Sequence, residues 1–252
     1  MPVLDYLRMR WFMLQRKVDN KRFLIEHPDV KIPPDSILYE TYKLDYRQYY
    51  NDGFMVAKQM VERFHRHQHR DLVKVLDWGC GPARVVRHLP ALLSSDQEIH
   101  ATDFNAKTID WCRRNIEKIH FHLNSQAPPT NLPKGFFDLI YGISVLTHLS
   151  VELQMKWLEE LHRLLAEKGI VILTTQGEAF RRKLDRQEVA TFDSGAPVIR
   201  TGGKEGRRTF SSFHPLPYLQ ELFSDFRILE HQPGNAYGKF IEQDLWVLGR
   251  RI

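Results

Sequence analysis

Apolar residues in the middle of the chain come in short runs, separated by segments with helical spacing. Five runs read as strands: 73–77, 98–102, 119–123, 137–142 and 169–175. Between them the pattern predicts helices near 84–93, 106–117 and 151–167. The last is the best marked. Ser150 can cap it, Glu152 sits in its first turn and Gly169 follows its end. Its Leu153, Trp157, Leu161, Leu164 and Leu165 share one face. Strands alternating with helices imply parallel strands joined by right-handed crossovers. A helix near 215–223 and strands near 225–231 and 242–249 complete the pattern.

Both flanks of this core break the alternation. Residues 1–70 read as a helical extension. In it Leu4, Leu7, Trp11, Leu14 and Val18 recur at three- and four-residue spacing, an apolar stripe on one helix. Pro33-Pro34 interrupts the extension, and Tyr39, Tyr42, Tyr46, Tyr49 and Tyr50 make its next part aromatic. Residues 177–213 carry five glycines and eight Lys/Arg against five acids. A segment of that length is either a lid or acceptor-binding insertion, or a surface excursion.

The chemistry begins at Val75-Leu76-Asp77-Trp78-Gly79-Cys80-Gly81. There a strand ends in an acid and a glycine turn follows, which lets a nucleotide-like ligand approach bare backbone. Ala83-Arg84-Val85-Val86 lacks the Lys-Ser/Thr pair of a phosphate loop, and Arg84 stands where a dinucleotide fingerprint needs its third glycine. The second strand also ends in an acid, Asp103. It can take both hydroxyls of a ribose, or cap the following helix as Asn105 could.

With the Gly79–Gly81 loop and Asp103 stand Phe136-Phe137-Asp138-Leu139-Ile140-Tyr141-Gly142, the helix around Leu158–Leu165 and Gly169-Ile170-Val171-Ile172-Leu173. In this order and spacing the chain resembles the class I S-adenosylmethionine-dependent methyltransferases over about residues 72–175. Ile109-Asp110-Trp111-Cys112, Ala127-Pro128-Pro129, Ser144–Ser150 and Gln243-Asp244 add a narrower likeness to bacterial small-molecule and polysaccharide-associated members.

The resemblance implies an α/β, Rossmann-like seven-stranded sheet, mostly parallel with an antiparallel final hairpin and helices on both faces. Residues 71–252 would form it, with a lid-like insertion at 177–213, and residues 1–70 would cover the cofactor site. The implied cofactor is S-adenosylmethionine, held by Asp77, Gly79, Cys80, Gly81, Asp103, Phe104, Asn124, Ser125 and Ser144. The implied acceptor is a small molecule, most simply a hydroxyl of a sugar or secondary metabolite. RNA or protein methylation and a non-catalytic binding module are the alternatives. A hydroxyl acceptor needs a route for its proton, and His148 and His214 are the candidate bases. The sequence departs from the family at Ala83, where a glycine is usual, and at Gln176, where relatives often carry histidine.

Composition narrows the class further. Of 252 residues, 42% are apolar and 27% charged, as in globular domains, and no apolar run reaches the ~20 residues a membrane span needs. Cys80 and Cys112 form no disulfide framework or metal motif, which fits a cytoplasmic location. No carboxylate cluster suited to a metal is apparent. The net charge is +5, and residues 1–22 hold six Lys/Arg against two Asp. No nucleic-acid-binding module accompanies that charge. The apolar stripe with its basic face therefore predicts packing on its own domain or on a second subunit, or contact with an anionic membrane surface or substrate.

Overall fold

The computed structural model describes residues 3–42, 44–71, 73–94, 96–207 and 209–251, with side chains from Arg8 onward except 40–42. Leu4, Leu7 and Tyr42 thus lie outside the described side chains. Three helices come first: α1 (Val3–Glu26), α2 (Asp35–Tyr42) and α3 (Tyr46–His67). The alternating core follows as β1 (Lys74–Trp78), the single turn α4 (Leu89–Leu92), β2 (Glu98–Asp103), α5 (Ala106–Asn115), β3 (His120–Leu123), β4 (Phe137–Gly142), α6 (Val151–Leu164) and β5 (Leu165–Thr175). An insertion holds α7 (Arg186–Asp193), β6 (Val198–Thr201) and β7 (Phe210–Phe213). The chain ends with α8 (Leu216–Leu222), β8 (Phe226–Gln232), the short pair β9 (Ala236–Tyr237) and β10 (Phe240–Ile241), and β11 (Asp244–Arg250).

Seven strands make the main sheet in the order β3-β2-β1-β4-β5-β11-β8. β1 to β5 run parallel, and β11 enters antiparallel between β5 and β8. This is the expected mostly parallel sheet with an antiparallel final hairpin. The apolar strand residues alternate between two cores. Val75, Leu139, Tyr141, Ile170, Ile172 and Val247 face one side with α3 and α5, while Leu76, Ile140, Val171, Leu173, Trp246 and Leu248 face α6 and α8. Pleating places successive side chains on opposite faces, so a strand covered on both sides reads as a continuous apolar run.

Two expected boundaries are corrected. The predicted helix 84–93 is a 3-10 turn, Val86–His88, followed by the one turn of α4. Pro90 has no N–H to return to the carbonyl of Val86, so a continuous helix cannot form across it. The helix predicted to reach residue 167 ends at Leu164, and β5 starts at once with Leu165 paired to Phe137. Gly169 is therefore not a helix cap. It lies inside β5, where the pairing with β4 shifts register and a Cβ would stand 2.7 Å from the Phe137 carbonyl oxygen. Ser150 does cap α6, accepting from Leu153 N.

The helical extension is fastened to the first loop of the core. α3 buries Tyr49, Gly53, Ala57, Met60 and Phe64. A Cβ on Gly53 would come 2.1 Å from the Arg84 carbonyl oxygen, so only glycine lets α3 approach the loop this closely. Tyr49 Oη donates to the Pro82 carbonyl (2.6 Å) and receives Arg87 Nη1 (2.9 Å). The linker after α3 is tied down by Asp138, whose Oδ2 accepts from Val73 N and Lys74 N while Oδ1 binds Arg70 at 2.6 Å.

On α1 the residues turned inward are Met9, Phe12, Met13 and Phe23, which pack with Leu38, Tyr39, Tyr46 and Tyr49. Trp11, Leu14 and Val18, predicted to pack on the domain or a second subunit or to meet an anionic membrane surface or substrate, do not pack on their own domain and point away from the body of the protein.

The insertion is folded rather than a loop. Phe180, Phe192, Val198 and Phe213 give it a small core, and β6 and β7 pair antiparallel. Two of its basic residues pair with its own acids, Arg181 with Asp193 and Arg200 with Glu188. Asp185 and Glu188 close a capping box at the start of α7.

Candidate functional site

The carboxyl ends of β1, β2, β3 and β4 open into a pocket of about 390 Å³. Open α/β sheets place ligands there because the loops diverge at that edge. Asp77, Gly79, Cys80, Gly81, Asp103, Phe104, Asn124, Ser144 and His148 all line it. Of the sequence candidates, Ser125 and His214 do not.

The glycine loop is held by its neighbouring strand. Gly79 N and Cys80 N both donate to the Thr102 carbonyl at 2.9 Å. Gly79 adopts φ +74° with Val145 only 2.5 Å from where a Cβ would be. Gly81 adopts φ +51° and faces open space. Two non-glycine residues beside them share the left-handed region, Ala83 at φ 59° and Ser144 at φ 61°. That backbone costs an L residue roughly 1 kcal/mol or more. Ala83 thus holds a backbone conformation that favours glycine.

Asp103 connects the two halves of the pocket. Its Oδ2 accepts from Gly81 N at 3.0 Å and its Oδ1 from Asn105 N at 2.7 Å. Burial raises its pKa against the pull of those backbone donors and of Arg207. Asp77 lies deeper. Burial pushes its carboxyl up to about 7, although Tyr141 Oη donates to it at 2.9 Å and Arg84 lies near. Burial also raises the Cys80 thiol, so it stays protonated.

A polar chain runs along the β4 side. Ser144 N donates to Thr174 Oγ1 (2.7 Å), Thr174 Oγ1 donates to Gln243 Oε1 (2.6 Å), and Gln243 Nε2 donates to Ser144 Oγ (2.8 Å). Next to it, His148 Nδ1 lies 2.7 Å from the Phe210 carbonyl oxygen. A carbonyl can only accept, so Nδ1 carries the proton and Nε2 keeps its lone pair. Burial lowers the His148 pKa, which keeps the ring neutral.

His214 is fully buried, stacks on Tyr218 at 6.0 Å, and has neither ring nitrogen in a hydrogen bond. Burial lowers its pKa to about 3.

Sequence reasoning missed part of the lining. Trp78, Val145, Leu149 and Trp157 form an apolar wall, and Gln126 and Gly206 close the far side. Gly206 comes from the insertion. Gly206 N donates to the His148 carbonyl at 2.8 Å, Glu205 accepts from Ser150 N, and Gln126 Nε2 donates to the Glu205 carbonyl at 3.1 Å. Arg207 lies over the Phe104 ring at 5.5 Å. Only the glycine at 206, φ +79° and with Phe104 3.0 Å from where its Cβ would be, hinted at a close approach. Among the described residues no group of three or more His, Cys, Asp or Glu is placed to hold a metal ion.

Residues 75–169 match the family model of a methyltransferase domain. The whole fold is similar to that of magnesium protoporphyrin IX methyltransferase from Synechocystis PCC 6803. The identity is 14%, over 85% of this chain and 91% of that one, with a TM-score of 0.57. It is similar to a methyltransferase from Methanosarcina mazei at 15% identity, over 75% and 96% of the two chains, with a TM-score of 0.57. A third similar fold is the 1,6-didemethyltoxoflavin-N1-methyltransferase of Burkholderia thailandensis, at 17% identity over 88% and 94%, with a TM-score of 0.54. At these identities the likeness to the solved structures is one of fold.

The pocket suits S-adenosylmethionine on its own terms. Gly81 leaves bare backbone facing open space, Asp103 offers a buried carboxylate for hydroxyl donors, and Asn124 Oδ1 is a buried acceptor with no partner in the protein. A glycine loop locked to the acid of the next strand lies within residues 75–169, the stretch that matches the methyltransferase-domain model.

Proposed function

We propose that the protein methylates a hydroxyl oxygen of a small molecule, a sugar or a secondary metabolite, with His148 as the base. The observation that carries this reading is the His148 ring. Its Nδ1 is committed to the Phe210 carbonyl, and the ring lines the same pocket as the glycine loop. Bound S-adenosylmethionine supplies an electrophilic methyl carbon on a cationic sulfur. The backbone of Gly79, Cys80 and Gly81 would lie along it, Asp103 would accept its ribose hydroxyls, Phe104 would flank the adenine and Asn124 would take the amino group. His148 Nε2 would take the proton of the acceptor hydroxyl as that oxygen receives the methyl group, and the bound cofactor would supply the methyl and keep the electron pair of the broken bond. Alignment of the acceptor in line with the bond supplies most of the acceleration.

Two neighbours in this fold are named for magnesium protoporphyrin IX and for 1,6-didemethyltoxoflavin, both small molecules. We read residues 1–70 as a cap over the cofactor loop and 177–213 as a lid that also shapes the acceptor site. The free, buried Cys80 and Cys112 fit a cytoplasmic setting. The test is a methyl-transfer assay, read as S-adenosylhomocysteine release, over a panel of hydroxylated and aminated small molecules. Turnover on a hydroxyl acceptor, lost in His148→Gln with cofactor binding kept, supports the reading. Turnover only on amines, or undiminished in the variant, overturns it.

A further inference from the structure

The outer face of α1 carries an apolar stripe that none of the described residues covers. Trp11, Leu14, Val18 and Ile25 are 53%, 70%, 78% and 71% exposed. At 100° per residue they fall within an arc of roughly 60°, directly opposite the face formed by Met9, Phe12, Met13 and Phe23. The helix is thus apolar on two opposed sides, and its own domain accounts for only one.

Charge indicates what meets the other. Arg10, Lys17 and Lys21 run along one edge of the outer stripe, and Arg8 and Arg22 along the other. Arg10, Lys17 and Lys21 make no ion pair among the described residues. On the Arg8 edge Glu26 stands at the same angle as Arg8 and Asp19 about 20° nearer the body, but Glu26 is already engaged by Arg22 and Arg47, so the Arg10 edge carries the unmatched charge. A second copy of the chain fits this surface poorly. Pairing two such stripes, parallel or antiparallel, sets basic edge against basic edge. The stripe lies on the convex face of a single helix and spans about 21 Å from Trp11 to Ile25. A flat surface of negative charge with an apolar interior complements both features, and long Lys and Arg side chains can reach its headgroups while the stripe sinks below them.

We propose that α1 docks the protein on an anionic lipid bilayer, lying in the interface plane with Trp11, Leu14, Val18 and Ile25 inserted. No helix of the described residues is long and apolar enough to cross a membrane, so the contact is peripheral. The proposal is independent of the acceptor.

Trp11 provides the probe. The other four tryptophans, Trp78, Trp111, Trp157 and Trp246, are at most 8% exposed, so a change of emission on docking reports Trp11. The full chain is mixed with vesicles of phosphatidylcholine, with or without phosphatidylglycerol, and followed by co-sedimentation and tryptophan emission. The expected result is binding to the anionic vesicles only, a blue shift, and release as salt is raised. The combined variant Trp11→Ser, Leu14→Ser, Val18→Ser should bind at least about tenfold more weakly. These positions are exposed, so it should melt like the wild type. The charge variant Arg10→Glu, Lys17→Glu, Lys21→Glu keeps the stripe and should also lose binding. Failure of the wild type to bind anionic vesicles at low salt overturns the proposal. So does equal binding by either variant, or a dimer in sedimentation that shields Trp11.

Discussion

Asp77 is buried in the site with its carboxyl raised to about 7, and Asp77→Asn tests the consequence. Its carboxyl ionises at 3.8 in an open chain and at about 7 when folded, because burial removes it from water. Between those values the unfolded chain has released a proton that the folded protein still holds. Stability contributed by the protonated acid is complete below 3.8 and is lost as pH rises toward 7. The slope approaches one proton, 1.36 kcal/mol per pH unit, and falls to half of that near pH 7, so from pH 5 to pH 7 the wild type should lose about 2 kcal/mol relative to the asparagine variant, which does not titrate. For a chain of this size that is a relative shift in melting temperature of about 4–8 °C. The Tyr141 hydroxyl, 2.9 Å from Oδ2, can donate to the amide oxygen as well. Any weakening of that bond is the same at every pH and leaves the slope untouched. The assay is thermal melting of both proteins from pH 5 to pH 8. A difference that stays flat, or that grows in favour of the wild type with rising pH, refutes the reasoning. Adding the cationic cofactor should favour the ionised carboxylate and flatten the wild-type slope.

Three further outcomes follow from the pocket. Asp103→Ala should weaken S-adenosylhomocysteine binding by about 1.5–3 kcal/mol in calorimetry, the scale of hydrogen bonds to a charged acceptor. The acid limb of the kcat profile should lie below the ordinary histidine value of 6.5, because burial lowers the His148 pKa and the neutral ring is the active form. Glu205→Ala removes the carboxylate that fastens the insertion to Ser150 at the start of α6, and stopped-flow release of S-adenosylhomocysteine should quicken about tenfold.

The strands were legible because each one that is buried on both faces must be apolar throughout, and each is short enough to be bounded by its turns. The boundaries that failed were set by contacts between segments distant in sequence. Ala166-Glu167-Lys168 favour helix locally, yet Leu165 pairs with Phe137 across the register shift and draws the chain into β5. Tertiary pairing overrides local preference at such a point. On α1 the periodicity was read correctly as a stripe, but periodicity alone cannot say which of two apolar faces meets the protein. The folded insertion was hidden for another reason. Its core is four scattered residues, Phe180, Phe192, Val198 and Phe213, too sparse to register as a periodic run.

In the pocket, the acid and the loop were readable from one short motif each, because strand ends and glycine turns are local. The apolar wall of Trp78, Leu149 and Trp157 was not, since aromatic residues on a strand or helix read as core wherever they occur. Of the two roles that the sequence left open for Asp103, the helix cap is not made, because α5 begins after Asn105 without a side-chain cap. One Asp103 oxygen accepts from Asn105 N, ahead of the helix, and the other fixes Gly81 N in the loop opposite. A carboxylate has about four acceptor sites, so two backbone donors leave room for two hydroxyls. An asparagine could not do this, because its amide nitrogen would set a donor against a donor. The acid therefore holds the shape of the glycine loop while leaving acceptors free for a ligand. The loop and the acid then form one unit, and loss of the carboxylate should cost cofactor affinity through both.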